Sequence, residues 1–147
     1  STTHGGETHT MAAANTTIDV FEKQNVIKHN HQIGDALIKG CQEAILSAGV
    51  SHLVEIIPCN WLVGFNFRDK QGQVSAAMRT LAMQEMIKRG VLFQGAFVPC
   101  FSHTMDDVNY FIKAFLETLS ILEDASNKGV ETILIGEVVK PVFRKQL

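Results

Sequence analysis

The sequence predicts an α+β fold in which a small, mainly antiparallel sheet carries helices against one face. Apolar residues recur at helical spacing in three stretches, two short alternating runs lie between the first and second, and Gly49, Gly90 and Gly129 close the helical stretches. The expected order is α-α-β-β-α-β-α. The first stretch covers residues 7–48 with a break near Gln24-Asn25. After the break Ile27, Gly34, Leu37, Ile38, Cys41 and Ile45 share a face, and Gly49 supplies a left-handed cap. Before it, residues 8–24 have a less regular apolar face and read as an arm towards a further domain. The chain divides into a phosphate-loop and linking helix, residues 1–24, and a C-terminal small domain, residues 25–147.

Leu53-Val-Glu-Ile-Ile and Trp61-Leu-Val-Gly-Phe-Asn-Phe, separated by Pro58-Cys59-Asn60, read as paired antiparallel strands. Trp61, Val63, Phe65 and Phe67 alternate onto one face. The next helix follows Gly72, with Ser75 as N-cap and Met78, Leu81, Ala82 and Met86 on its inner face, widened by Met83 and Ile87. Lys88-Arg89-Gly90 end it, basic residues meeting the negative helix terminus. Val91-Leu-Phe-Gln reads as a short buried third strand, with Phe97-Val-Pro-Cys-Phe a further candidate. The last helix opens at Thr104, whose partner three residues on is Asp107, and runs through Val108, Phe111, Ile112, Phe115, Leu119 and Leu122 to Gly129. Residues 131–147 lack a sustained period and are expected to lie along a surface.

A chain of 147 residues with 46% hydrophobic and 19% charged content can close one core of normal size. Thirteen basic against fifteen acidic side chains leave a formal net charge of -2, which provides no field to steer the chain towards nucleic acid or an anionic membrane. No apolar run approaches the ~20 residues of a membrane span, and the N-terminus lacks a signal-peptide layout, so a cytoplasmic protein is expected. Three widely spaced cysteines, Cys41, Cys59 and Cys100, suit reduced core thiols better than a disulfide framework. No metal site is expected. His4 and His9 are five apart, His29 and His31 project from different sides of a helix, and no cysteines have CxxC spacing.

Cys100 near His103 offers a thiol and base, the basis for a hydrolase, although a cysteine at a strand end more commonly fills a core. Asp106 and Asp107 suit a helix N-terminus, where the dipole favours carboxylates. The strongest candidate site is Ser1-Thr-Thr-His-Gly-Gly-Glu, running directly into Thr8-His-Thr-Met-Ala-Ala-Ala. Thr2 and Thr3 can donate hydroxyl hydrogens, Gly5 and Gly6 let backbone N–H groups approach, and the helix start adds unpaired donors, so a phosphate suits the place. Ordinary helix capping uses the same residue types. With no initiator methionine and no preceding strand, the chain reads as a piece of a larger protein.

Read together, the segments resemble class III pyridoxal-phosphate aminotransferases. Residues 1–7 and the helix after them look like the family's Thr-aromatic-Gly-Gly-Asn/Glu segment, with His4 at the aromatic position. Met86-Ile-Lys-Arg-Gly-Val-Leu-Phe and Phe101-Ser-His-Thr-Met-Asp-Asp-Val-Asn-Tyr-Phe-Ile resemble the last strand and helix of the glutamate-1-semialdehyde aminomutase branch, and Lys140-Pro-Val-Phe-Arg is similar to the tail of bacterial relatives. The resemblance spans essentially the whole chain in the family's order. It implies the C-terminal part of a fold-type-I enzyme, a homodimer that moves amino groups from amino acids or amino sugars to a keto or aldehyde acceptor. It also implies that Thr3, with Thr2 as a second candidate, binds the phosphate of pyridoxal 5'-phosphate in the neighbouring subunit. The family's Schiff-base lysine and the aspartate that holds the pyridine nitrogen lie upstream, so this chain alone is expected to have no catalytic residues and no transaminase activity. The competing class is a non-enzymatic α+β binding or regulatory module.

Overall fold

A computed structural model of the chain describes Thr3 and residues 5–140. Its elements run α1 (Thr8–Lys23), α2 (Val26–Ala48), β1 (Val54–Ile57), β2 (Val63–Phe67), α3 (Ala76–Lys88), β3 (Ala96–Phe97) and α4 (Met105–Lys128), followed by a 3-10 turn at Val130–Thr132. The fold is α+β, with a three-stranded antiparallel sheet ordered β1-β2-β3. Val54 pairs with Phe67 and Ile56 with Phe65, so both strands direct the same parity inward. Val63, Phe65 and Phe67 are buried along β2. Phe65 meets Phe115 of α4 with ring centroids 5.2 Å apart, and α2 and α3 both pack on α4. The outer face carries polar pairs, among them Arg68 Nη2 donating to Glu55 Oε2 at 2.6 Å.

Asn25 makes the break between α1 and α2. Its left-handed φ of 51° is tolerated by asparagine better than by most residues, and it redirects the chain before Val26 enters the core. On α2, Gly34, Leu37, Cys41 and Ile45 are buried and Ile38 packs at the margin, but Ile27 is exposed and Val26 takes the inward place. Gly49 adopts the expected left-handed cap with φ 71°. No side chain of α1 is buried.

The third strand differs from expectation. Residues 91–94 are not a strand, because the Val91 N–H donates to Met86 O at 3.0 Å and closes the end of α3. Gly95, at φ 89°, turns the chain, and only Ala96 and Phe97 pair with Gly64 and Val63. The apolar run is nonetheless an anchor: Phe93 is buried with its ring 5.3 Å from that of Phe65 and 5.7 Å from that of Phe111. Phe97 is the only residue of the 97–101 candidate in a strand; Pro99 and the turn at Cys100–His103 stop pairing.

Trp61 also departs from the predicted stripe and is 62% exposed. The Cys59 N–H donates to Ile57 O and the Leu62 N–H to Cys59 O, both at 2.9 Å, so Trp61 sits in the turn before β2 begins. Ile87 is exposed, whereas Met78, Leu81, Ala82 and Met86 form the inner face of α3 and Met83 packs at its margin. The caps hold as expected. Ser75 Oγ accepts from the Met78 N–H, and Thr104 and Asp107 form a reciprocal capping box. After residue 132 the chain crosses the α3 surface, where the Ile135 N–H donates to Gln84 Oε1 at 2.8 Å and the Val139 N–H to Thr80 Oγ1 at 3.1 Å. Residues 141–147, the rest of the expected surface stretch, lie outside the described residues.

Candidate functional site

Thr3 and Gly5-Gly6 lie in an exposed turn that leads through an extended Glu7 into the first turn of α1. Gly6 has φ 95°, a conformation that side chains rarely adopt, and a Cβ there would meet nothing within 4 Å. The backbone at Gly6 is thus approachable from solvent, beside the start of α1, where the helix dipole favours negative charge. Local bonds shape this start. Thr10 Oγ1 donates to Glu7 O at 2.7 Å, and His9 Nε2 lies 3.2 Å from Glu7 Oε2. Of the two predicted phosphate ligands, Thr3 belongs to this turn, and Thr2 lies outside the described residues, as does His4.

A second constellation sits between β3 and α4. Cys100 is exposed rather than a core filler, because the turn that ends β3 carries it outward. Its Sγ lies 3.3 Å from His103 Nδ1, and its backbone N–H donates to the same nitrogen at 3.0 Å. The two residues that sequence spacing offered as a thiol and base are therefore in contact. The other cysteines differ: Cys41 is buried, which pushes its thiol up to about 12, and Cys59 is half-buried. Asp107 is committed to the capping box, its Oδ2 accepting from Thr104 N and Thr104 Oγ1, both at 2.7 Å. The backbone bond first, and the hydroxyl bond second, hold its carboxyl below the ordinary value. A cavity of about 420 Å³ lies beside the ring of His103, walled largely by Val91, Leu92, Phe93, Phe97 and Tyr110.

Sequence reasoning missed a third cluster. Glu85 is only 5% exposed and accepts from Lys88 Nζ at 2.7 Å, Arg89 Nη1 at 2.9 Å and Gln84 Nε2 at 3.0 Å. Its signal was present: it falls four residues after Leu81 and seven after Met78, on the inner face of α3, with cations three and four residues on. Arg89 Nε also donates to Glu117 Oε2 at 3.0 Å, which ties α3 to α4. Every charge here is matched within the cluster, so its role is to hold helices together.

Among the described residues no group of three or more His, Cys, Asp or Glu side chains could hold a metal ion, and no helix is long and apolar enough to cross a membrane. No family model, curated protein or solved structure matches the chain.

Proposed function

We propose that this chain is the C-terminal part of a class III, pyridoxal-phosphate-dependent aminotransferase of the glutamate-1-semialdehyde aminomutase-like branch. The observation that carries the reading is α1. It starts directly after the Thr3-Gly5-Gly6 turn, runs for sixteen residues with no buried side chain, and passes at Asn25 into an α+β unit closed around its own core. A helix so exposed suits a link between the small domain of a fold-type-I enzyme and a large domain. The exposed Met11, Ile18 and Phe21 give it apolar surface to place against such a neighbour.

The Thr3 turn fits a cofactor phosphate in its donor chemistry. A hydroxyl donates to a dianion without adding a competing charge, the backbone at Gly6 is open, and the first-turn N–H groups of α1 favour negative charge. In this reading Thr3, with Thr2 beside it in sequence, holds the phosphate of the neighbouring subunit in a homodimer. When bound, pyridoxal phosphate supplies an electron sink for reactions at the amino-bearing carbon. This chain's share is to fix the cofactor's phosphate end; the family's cofactor-bearing lysine lies in the upstream domain. The donors are amino acids or amino sugars and the acceptors keto or aldehyde compounds. Where aminomutases carry Gln-Phe-Glu, this chain has Gln94-Gly-Ala-Phe-Val-Pro-Cys. Without that glutamate, glutamate-1-semialdehyde is no better a substrate than a related amino sugar, amino acid or amino ketone.

The test is the reading frame and then the parent enzyme. A frame that extends upstream of Ser1 into a lysine-bearing domain supports the reading; a start codon immediately before Ser1 removes it and leaves a binding module. In the parent, Thr3→Ala is expected to weaken cofactor retention by the roughly 1.5–3 kcal/mol of a hydrogen bond to a charged group. Unchanged cofactor affinity would show that Thr3 is no phosphate ligand.

A further inference from the structure

The Cys100–His103 pair has no part in the proposed transamination. His103 Nδ1 accepts the Cys100 backbone N–H at 3.0 Å, so in the neutral ring this nitrogen carries the lone pair and the proton resides on Nε2. The same lone pair lies 3.3 Å from Cys100 Sγ, within reach of the thiol proton. Two contacts fix the backbone of His103 and one its ring. The His103 backbone N–H donates to Cys100 O at 3.0 Å, the His103 carbonyl oxygen is 2.9 Å from His29 Nε2, and the imidazole lies tilted against Phe97 with centroids 4.7 Å apart. The sulfur is exposed, and the imidazole forms part of the wall of the 420 Å³ cavity, whose mixed lining, with Phe97 and Val98 beside Asp107 and Tyr110, offers space on the far side of the ring.

We infer that Cys100 is a thiol–disulfide exchange site, with His103 as its base, that takes up low-molecular-mass disulfides and retains one half as a mixed disulfide. The thiol proton passes to His103 Nδ1, which releases the Cys100 backbone N–H as it takes the proton, and Cys100 Sγ attacks one sulfur of the reagent R–S–S–R. The reagent's S–S bond breaks as the Cys100 S–S bond forms, and the departing thiolate takes the proton back from the imidazolium as R–SH. Cys100 is oxidised and half of the reagent is reduced, so no further redox partner is needed. The inference is independent of the aminotransferase reading, because the step needs only residues of this chain.

The experiment exposes the native 147-residue chain to cystamine at neutral pH and follows adduct formation at each cysteine by mass spectrometry of peptides. Cys100 is expected to react about tenfold or more faster in the native chain than in the chain unfolded in urea, because the base is held against it only in the fold. His103→Ala should bring the native rate down to about the unfolded one, and added imidazole should restore it by occupying the vacated space. A native rate no greater than the unfolded rate, or an undiminished rate in the variant, overturns the inference. If the variant fails to fold, the comparison of native and unfolded wild type decides alone.

Discussion

Arg89 grips Glu85 at two points: its Nη1 donates to the Glu85 carbonyl oxygen and to Glu85 Oε2, both at 2.9 Å. One guanidinium thereby satisfies a carbonyl left open at the end of α3 and neutralises a carboxylate that the helix has carried into the interior. Glu85→Ala removes the buried carboxylate and leaves Arg89 with the residue-85 carbonyl oxygen and the Glu117 carboxylate. A loss of about 2 kcal/mol is expected, below the range for a fully buried pair because both cations reach solvent. Urea denaturation at neutral pH measures it, and a midpoint equal to wild type would show that the cluster is energetically idle.

The same cluster sets an acid limit. Burial alone would raise the Glu85 carboxyl, but hydrogen bonds from Lys88, Gln84 and Arg89 outweigh it and hold the group below its ordinary value of 4.5. A depressed native value means that the unfolded chain binds the proton more readily, so this stabilisation is complete well above pH 4.5 and fades as pH falls through the native value. Glu55, held down by Arg68 and Asn66, and Asp107, held down by Thr104, act in the same direction. Glu85→Gln should therefore flatten the fall in urea midpoint on acidification without abolishing it. An identical pH profile for the variant would assign the acid sensitivity elsewhere.

Thr104→Ala removes one half of the α4 capping box. The Asp107 N–H loses its side-chain acceptor, and about 1 kcal/mol of stability should go with it. Thr104→Ser keeps the hydroxyl and is expected to retain most of that stability; equal losses in the two variants would mean that the hydroxyl is not the cause.

Gly34→Ala tests packing between two backbones. A Cβ at Gly34 would overlap the Asn60 carbonyl, and neither α2 nor the turn before β2 can yield as a flexible side chain would. The expected cost is about 1–3 kcal/mol, read as a lower urea midpoint. A neutral substitution would mean that the turn moves freely away from α2.

Cys41 should stay unlabelled by a maleimide at pH ~8 in the native chain and label on unfolding, since only thiolate reacts and burial suppresses it. Native-state labelling at the rate of an exposed cysteine would place Cys41 outside the core.

Much of the architecture was legible in the sequence because it rests on periodicity and caps. Leu37, Cys41 and Ile45 on α2 and the Thr104–Asp107 pair follow from spacing within a single helix. The third strand was misplaced because Val91-Leu-Phe-Gln satisfies burial without backbone pairing: Phe93 enters the core while Val91 finishes α3. An apolar run reports burial, and which backbone pairs with β2 depends on the turn at Gly95. Trp61 was misassigned because alternation was extended back across a turn. The contact between Cys100 and His103 depends on the conformation of the turn at 100–103, which spacing suggested but could not fix. Residues 1–7 alone do not separate a phosphate cradle from ordinary helix capping, since a phosphate's remaining ligands need not come from the same stretch of chain.

Helix α1 makes none of its side chains part of the core, and Thr16 and Thr17 bond back to the Ala12 and Ala13 carbonyls within the helix itself. Isolated helices shorter than about 12–15 residues are marginal in water even when alanine-rich; the sixteen residues of α1 barely exceed that and include threonine, asparagine, valine and isoleucine, weaker helix formers than alanine. Amide hydrogens of α1 should accordingly exchange by local opening, far faster than those of α2, whose exchange follows unfolding of the core. Slowing of exchange confined to residues 8–23 would then report directly that this helix had found a neighbour, whatever that neighbour is.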